Sequence, residues 1–173
     1  MIVFDSSTII LLAKIDMLDL FISGFHGKIA IPEKIKVEVC RKGREETPLI
    51  EYLIKDNRIS VLKTKDRMHK KKIMEDFNID EGEANAILLA LQESASVIAT
   101  DDRNTIRACK LLKIDFLTAV AFLARSAEKD LIPRDEALIK LRKLHSIGRY
   151  SNKIIEDATL KIKGGDEKWL PEP

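Results

Sequence analysis

The chain has 173 residues, of which 45% are hydrophobic and 34% are charged, so it suits one globular domain and leaves little room for a second. The formal net charge of +2 excludes a polycation that binds nucleic acid over its whole surface, so any basic binding face is local. There is no run of about 18 uncharged apolar residues, and the N-terminus carries no basic region followed by an apolar signal core. We therefore expect a cytoplasmic protein with no membrane span.

The predicted elements start with a buried strand at residues 2–4, which Asp5 follows directly. Residues 6–8 are of the type that caps helices, and an apolar helix is predicted after them at 9–15. The later predicted helices cover 17–22, 33–42, 45–55, 65–77, 81–93, 103–112, 118–128, 134–144 and 151–163, and the later strands cover 28–31, 59–62, 96–99 and 115–117. Segment 33–42 also alternates like a strand, but Pro32 and its Glu and Lys content favour a helix.

Strands that alternate with helices predict an α/β fold with a parallel sheet covered on both faces. Binding sites in open sheets of this kind form beyond the carboxyl ends of the strands. We expect a single domain over residues 1–163. Residues 164–173 show no periodicity and are predicted to be a mobile tail.

Carboxylates adjoin several of the apolar elements. Asp5 follows the first strand, and Asp101 and Asp102 follow the strand at 96–99, so both groups are expected at the carboxyl edge of the sheet. Glu83 lies on the apolar face of a helix, near its N-terminal end, and Glu38 lies near a core face if its segment is helical. If folding gathers these side chains, raised pKa values or a bound cation must offset their like charges. Converging carboxylates hold Mg²⁺ or Mn²⁺ for phosphoryl chemistry.

Each acid also has a purely structural interpretation. Asp5, and one of Asp101 and Asp102, can cap the helix that follows. Glu83 can form a reciprocal capping box with the aspartate three residues before it. Glu38 can lie on a solvated face.

Polar and basic residues near these acids have two interpretations as well. Ser7 and Thr100 can orient a carboxylate, but Ser7 also fits a helix cap and Thr100 a buried strand end. Arg103 and Arg107 are one helical turn apart and can meet a substrate phosphate. The basic residues between 63 and 72 can follow a phosphate backbone or form a solvated helix face.

Four ordered segments resemble the PIN-domain nucleases, in particular the compact prokaryotic members that include toxins of toxin–antitoxin pairs: MIVFDSSTII, IPEKIKVEV, DEGEANAILLALQ and VIATDDRNTIRACKLLKI. The resemblance covers about residues 1–125, and the remaining helices are typical of a C-terminal extension. It implies a three-layer α/β/α sandwich with a central, mostly parallel sheet. It also implies a negatively charged pocket for Mg²⁺ or Mn²⁺ and cleavage of RNA phosphodiesters.

The resemblance assigns roles to single residues. Asp5 matches the acid after the first strand, and Ser7 the hydroxyl beside it. Glu38 matches the acid of the helix after the second strand, and Glu83 the acid of the mid-chain helix. The late strand-end acid matches either Asp101 or Asp102.

The sequence thus predicts a metal-dependent endoribonuclease. Asp5, Glu83 and one of Asp101 and Asp102 would hold one or two divalent ions, and Glu38 would complete the cage. The partners expected are an RNA substrate, an antitoxin protein, and a second copy of the chain, the last from the apolar N-terminal helices and family precedent. The alternatives are a PIN-like module that binds RNA or protein without cutting and a haloacid-dehalogenase-like phosphatase. The phosphatase would need an aspartate where this chain has Ser7.

Overall fold

The computed structural model describes residues 1–164, which contain five strands and ten helices. The strands are β1 Ile2–Phe4, β2 Ile29–Pro32, β3 Ser60–Leu62, β4 Val97–Ala99 and β5 Asp115–Leu117. The helices are α1 Ser6–Lys14, α2 Leu18–Gly24, α3 Glu33–Val39, α4 Thr47–Lys55, α5 Arg67–Phe77, α6 Glu81–Gln92, α7 Arg103–Leu112, α8 Ala119–Glu128, α9 Arg134–Ile147 and α10 Asn152–Lys163. Apart from Gly164, the predicted mobile tail lies outside the described residues.

The chain forms two compact units, one of residues 1–117 and one that begins at Thr118. The first unit holds the whole sheet and helices α1–α7, and the second holds helices α8–α10. One domain over residues 1–163 stays a prediction. No helix within residues 1–164 has the length and apolar content needed to cross a membrane.

The sheet is parallel throughout, in the order β3-β2-β1-β4-β5. β1 lies at its centre, pairing Ile2 with Ile29 on one side and Phe4 with Ala99 on the other. The chain passes from β1 to β2 and β3 and then crosses to β4, so the strand order reverses between β1 and β4. A crevice for ligands opens at such a reversal, beyond the carboxyl ends of the two strands.

Neighbouring side chains of β1 reach opposite faces of the sheet, as they must on any strand. Val3 belongs to a core cluster with residues of α6 and α7, including Ile87 and Cys109. Phe4 meets Phe21 of α2 edge to face, with ring centroids 5.0 Å apart. Helices therefore cover both faces, and the predicted three-layer α/β/α fold is confirmed.

The ambiguous segment after β2 is a helix, α3, as its Pro32 favoured. Ile35 and Val39, four residues apart, are buried on one side, whereas Val37 is 66% exposed. A strand would have placed all three on one face. The segment therefore follows the helical period of 3.6 residues and not the alternation of apolar residues seen in the sequence.

Helix α1 starts at Ser6, three residues earlier than predicted. Asp5 is its N-cap, and residues 6–8 form the first turn instead of a separate cap. The helix starts early because the Asp5 carboxylate accepts a hydrogen bond from the Ser6 N–H, which would otherwise be unpaired.

Candidate active site

Asp5 is a buried carboxylate at the carboxyl end of β1, with only 1% of its surface exposed. Its Oδ1 accepts from the Ser6 N–H at 2.7 Å, which confirms the predicted cap. Its Oδ2 accepts from the Ser7 hydroxyl at 2.6 Å and from the Thr100 hydroxyl at 3.2 Å. The hydroxyls of Ser7 and Thr100, which we predicted to orient a carboxylate, both donate to Asp5 and hold its side chain in one orientation.

The ionised form of Asp5 is costly in this setting. Burial raises the pKa of Asp5 to about 6, although hydrogen bonds from Ser7, Ser6 and Thr100 lower it. The carboxylate of Asp80 raises the pKa of Asp5 further. A positive charge beside Asp5 would therefore stabilise its ionised form at neutral pH.

The two aspartates after β4 have different surroundings. The Thr8 hydroxyl of α1 donates to Asp101 Oδ2 at 2.6 Å. Asp102 instead caps α7, where its Oδ1 accepts from the Thr105 N–H at 2.8 Å. The charge of Asp102 is also one cause of the raised pKa of Glu83. The charge of Asp102 thus acts on Glu83 of α6, and the side chain of Asp101 is hydrogen-bonded to Thr8 of α1.

Glu83 takes part in the predicted capping box and has a raised pKa. Its N–H donates to Asp80 Oδ1 and its Oε2 accepts from the Asp80 N–H, both at 2.9 Å. Burial raises the pKa of Glu83 to about 7 against the effect of that N–H, and the charges of Asp102, Asp80 and Asp5 add to the rise. The pKa of Glu83 is therefore raised by acids that follow β1, that follow β4 and that cap its own helix.

Glu38 of α3 reaches the N-terminus of α6 at Gly82. A Cβ atom added to Gly82 would lie 2.8 and 3.0 Å from the two carboxylate oxygens of Glu38, and 3.2 Å from Asp80 Oδ1. Glu38 is half-buried and adjoins the capping box, so it is not on the solvated face that the sequence left open. Any larger residue at position 82 would displace it.

Asp80 is the acid whose importance the sequence did not reveal. We predicted it only as the capping partner of Glu83, but its charge raises the pKa values of both Asp5 and Glu83. Its spacing from Glu83 signals a cap and carries no signal of an electrostatic effect on the carboxylate at the end of β1.

These residues fit a hydrated divalent ion better than a closed cage. Among residues 1–164, no group of three or more His, Cys, Asp or Glu side chains lies in a ready-made arrangement for a metal ion. The cage that Glu38 would complete stays a prediction. The donors are hard oxygens with excess negative charge, which suits Mg²⁺ or Mn²⁺. Mg²⁺ keeps several waters and takes only one or two carboxylates directly.

Arg103 and Arg107 lie on the first two turns of α7, whose N-cap is Asp102. Both side chains are exposed. They are available to a ligand at this edge of the sheet, and their contact with a phosphate stays a prediction.

We expect the metal-free protein to lose stability between about pH 5 and about pH 8. Asp5 and Glu83 bind protons more tightly in the folded chain, so their contribution is complete below the unfolded pKa values and is lost as pH rises through about 6 and about 7. Asp5 alone accounts for roughly 1 kcal/mol over this window. Glu81, whose pKa is lowered to about 2, changes stability only at lower pH.

Thermal unfolding in chelator across this pH range measures the effect, as a fall in Tm of a few degrees. Mn²⁺ should restore the lost stability at about pH 8 and have little effect at about pH 5, where both carboxyls bind protons. A Tm that rises with pH in chelator would contradict this prediction.

A family model described as a PIN domain matches residues 1–163 of the chain. The matched range includes every acid discussed above. No significant match is found among curated proteins, and none is found among solved structures.

Proposed function

This chain belongs to the PIN-domain family, whose members are generally nucleases, and from that premise we propose that it is a divalent-metal-dependent endoribonuclease. One observation carries the proposal: Asp5 is buried at the carboxyl end of the central strand, and hydroxyls from α1 and from the end of β4 hold its carboxylate in place. The charges of Asp5 and Asp102 also raise the pKa of Glu83, after the larger effect of burial. Carboxylates that raise one another's pKa values destabilise the metal-free protein, and a divalent ion would offset that cost.

In this proposal Asp5, Glu83 and one of Asp101 and Asp102 hold one or two Mg²⁺ or Mn²⁺ ions, with Glu38 nearby on α3. A bound ion supplies a water of lowered pKa and neutralises charge on the reacting phosphate. The neighbouring residues hold the carboxylates in position, because a carboxylate that is already fixed loses less conformational freedom when it binds an ion.

The chain's own hydroxyls do that positioning. Ser7 and Thr100 hold Asp5 Oδ2 from two different elements, and Thr8 holds Asp101 Oδ2 from α1. Single-stranded RNA is the proposed substrate class, because an unpaired backbone can enter a crevice that a duplex cannot. Arg103 and Arg107 are proposed to contact its phosphates.

Incubation of the purified protein with mixed RNAs tests the function. We expect fragments with Mn²⁺ or Mg²⁺ and none with chelator. RNA binding without cleavage at any metal concentration would overturn the proposal in favour of a non-catalytic PIN-like module. Turnover of a phosphomonoester without RNA cleavage would instead favour the phosphatase alternative.

The partner proposals come from the resemblance to compact prokaryotic PIN domains. The toxin role and the antitoxin partner rest on the kind of PIN domain that the sequence resembles, and growth arrest on expression, relieved by a co-expressed protein, would test them. The apolar residues of α1 and α2 that suggested a homodimer, such as Leu12 and Phe21, are buried within the first unit. The homodimer therefore rests on family precedent, and light scattering on the purified protein tests it.

Gly82→Ala is expected to lower RNA cleavage roughly 10-fold, an effect typical of residues that orient a metal site. The added Cβ would displace the Glu38 carboxylate, which is the flexible end of a side chain, so the fold should remain intact. Steady-state cleavage rates and Tm measure the two effects. Gly24→Ala is the matched control, because a Cβ there meets nothing within 4 Å. Wild-type cleavage by Gly82→Ala would remove Glu38 from the site.

A further inference from the structure

A cavity of about 190 Å³ is lined by residues of α3, α5 and α6 and of the segment that follows β3. Four cationic side chains line it, and we call this set the basic pocket: Lys34, Lys63, Arg67 and Lys70. Cationic side chains that converge on one cavity form a site for an anion.

Glu81 brings two of these cations together from different helices. Its Oε2 lies 2.9 Å from Lys34 Nζ of α3, and its Oε1 lies 2.6 Å from Lys70 Nζ of α5. Hydrogen bonds from Lys70 and Lys34 lower the pKa of Glu81 to about 2, so Glu81 stays ionised and keeps both ammonium groups in place. This pairing joins α3, α5 and α6 at the cavity.

Lys63 and Arg67 are the cations left for a ligand. Both are exposed, and within residues 1–164 neither forms an ion pair. The wall beside them is ordered by hydrogen bonds, since the Thr64 hydroxyl donates to Asn85 Oδ1 and Asn85 Nδ2 donates to the Glu81 carbonyl, both at 2.6 Å. Glu33 and Asp66 also line the cavity, so its four positive and three negative side chains give a net charge of +1. An anion that enters the cavity meets Lys63 and Arg67 beside a wall held by these hydrogen bonds.

The basic pocket adjoins the acidic edge of the sheet. Glu81 and Glu83 share the first turn of α6, and Lys34 and Glu38 are one turn apart on α3. The two sites meet at consecutive residues of α6, because Glu81 contacts Lys34 and Gly82 lies against the Glu38 carboxylate. A ligand chain that crosses the α6 N-terminus would touch both.

We propose that the basic pocket binds a backbone phosphate of the RNA strand, next to the phosphate that is cleaved. This inference rests on the proposed function. The acidic edge repels a polyanion, so a strand needs a cationic contact nearby before it can reach the site. A phosphate contact fixes position without reading sequence.

Helix α5 itself provides a control. Lys70 has a side chain 23% exposed, whereas Lys71 and Lys72 are 79% and 74% exposed and lie near Glu75 and Asp76. Within the basic segment at 63–72, Lys70 therefore forms part of the pocket wall, whereas Lys71 and Lys72 lie on a solvated helix face. Substitution of Lys71 and Lys72 removes two positive charges from α5, the same number as the pocket variant below, without changing a residue that lines the pocket.

The test compares Lys63→Gln/Arg67→Gln with Lys71→Gln/Lys72→Gln. Binding of a labelled single-stranded RNA is measured by fluorescence anisotropy in chelator, at several salt concentrations, and cleavage is measured with Mn²⁺. We expect the pocket variant to bind about 10-fold more weakly and to reduce the slope of log Kd against log salt by about 0.7, for the one phosphate that the pocket no longer neutralises. Its KM should rise about 10-fold with kcat unchanged.

The control variant should bind and cleave within about twofold of wild type. Equal weakening by both variants, or wild-type binding by the pocket variant, would overturn the inference. Pocket-dependent binding without any cleavage would overturn the proposed function alone. Cleavage with an unchanged KM in the pocket variant would overturn the pocket alone.

Discussion

Asp5→Asn should lower RNA cleavage more than about 100-fold, beyond the 10–100-fold effect of residues that only orient a metal ligand. The amide is isosteric with the carboxylate and retains an oxygen for the Ser6 N–H, so α1 keeps its N-cap. It removes one buried negative charge, and with it the main attraction for a cation at the end of β1.

The same substitution should stabilise the metal-free protein. At about pH 8 the wild-type carboxylate is ionised while buried, against a pKa of about 6, and the neutral amide avoids a cost of up to about 3 kcal/mol. Thermal unfolding in chelator should show a higher Tm for Asp5→Asn and a much smaller gain on adding Mn²⁺. Loss of activity with a gain in stability separates a functional role from a structural one.

Asp19→Asn is the matched control, because Asp19 is an exposed carboxylate that contacts only Arg58, at 3.3 Å, among the described residues. A surface pair of this kind contributes little to stability. Its cleavage rate and metal response should equal those of wild type. Cleavage by Asp5→Asn at more than a tenth of the wild-type rate would exclude Asp5 as a metal ligand.

Glu83→Gln should also lower cleavage roughly 100-fold while leaving α6 intact. Glutamine serves at this position of a capping box, so the hydrogen bond from the Asp80 N–H is retained. The substitution removes the charge of a carboxyl group whose pKa is raised to about 7, in part by the charges of Asp102 and Asp5. The variant therefore separates the helix-capping role of Glu83 from its role in the acidic cluster.

Cleavage rates, circular dichroism and Mn²⁺-dependent Tm measure these effects. Glu93→Gln, at the exposed C-cap of the same helix, is the control for removal of one negative charge from α6. We expect it to behave as wild type. If Glu83→Gln retained full metal stabilisation and full activity, its role would be confined to the capping box.

Local patterns predicted those parts of the fold that depend on neighbours in the sequence. The apolar run before Asp5, the helical face of α6 and the spacing of Asp80 and Glu83 all involve interactions within a few residues. Such interactions leave a period or a cap signal that can be read directly. Where two local signals competed, as at Ser6 in α1, the boundary was misplaced by three residues.

Contacts between distant elements were open to prediction only in part. The rule that sites form beyond parallel strands placed Asp5 and Asp102 at one edge, and the strand order β2-β1-β4 bears that out. No pattern in α3 showed that Glu38 meets Gly82, which is 44 positions away. That contact depends on how α3 packs against α6.

Short segments of the chain were enough to predict the α/β layering, the helix caps and the acids proposed to hold a metal, because burial period and capping depend on residues close together in the sequence. The packing of distant elements was needed to see that the charges of Asp5 and Asp102 raise the pKa of Glu83, and that Lys70 lines a pocket while Lys71 faces solvent. Electrostatic coupling and burial depend on distance and on neighbouring surface. Both are set by the strand order and helix packing of the whole unit.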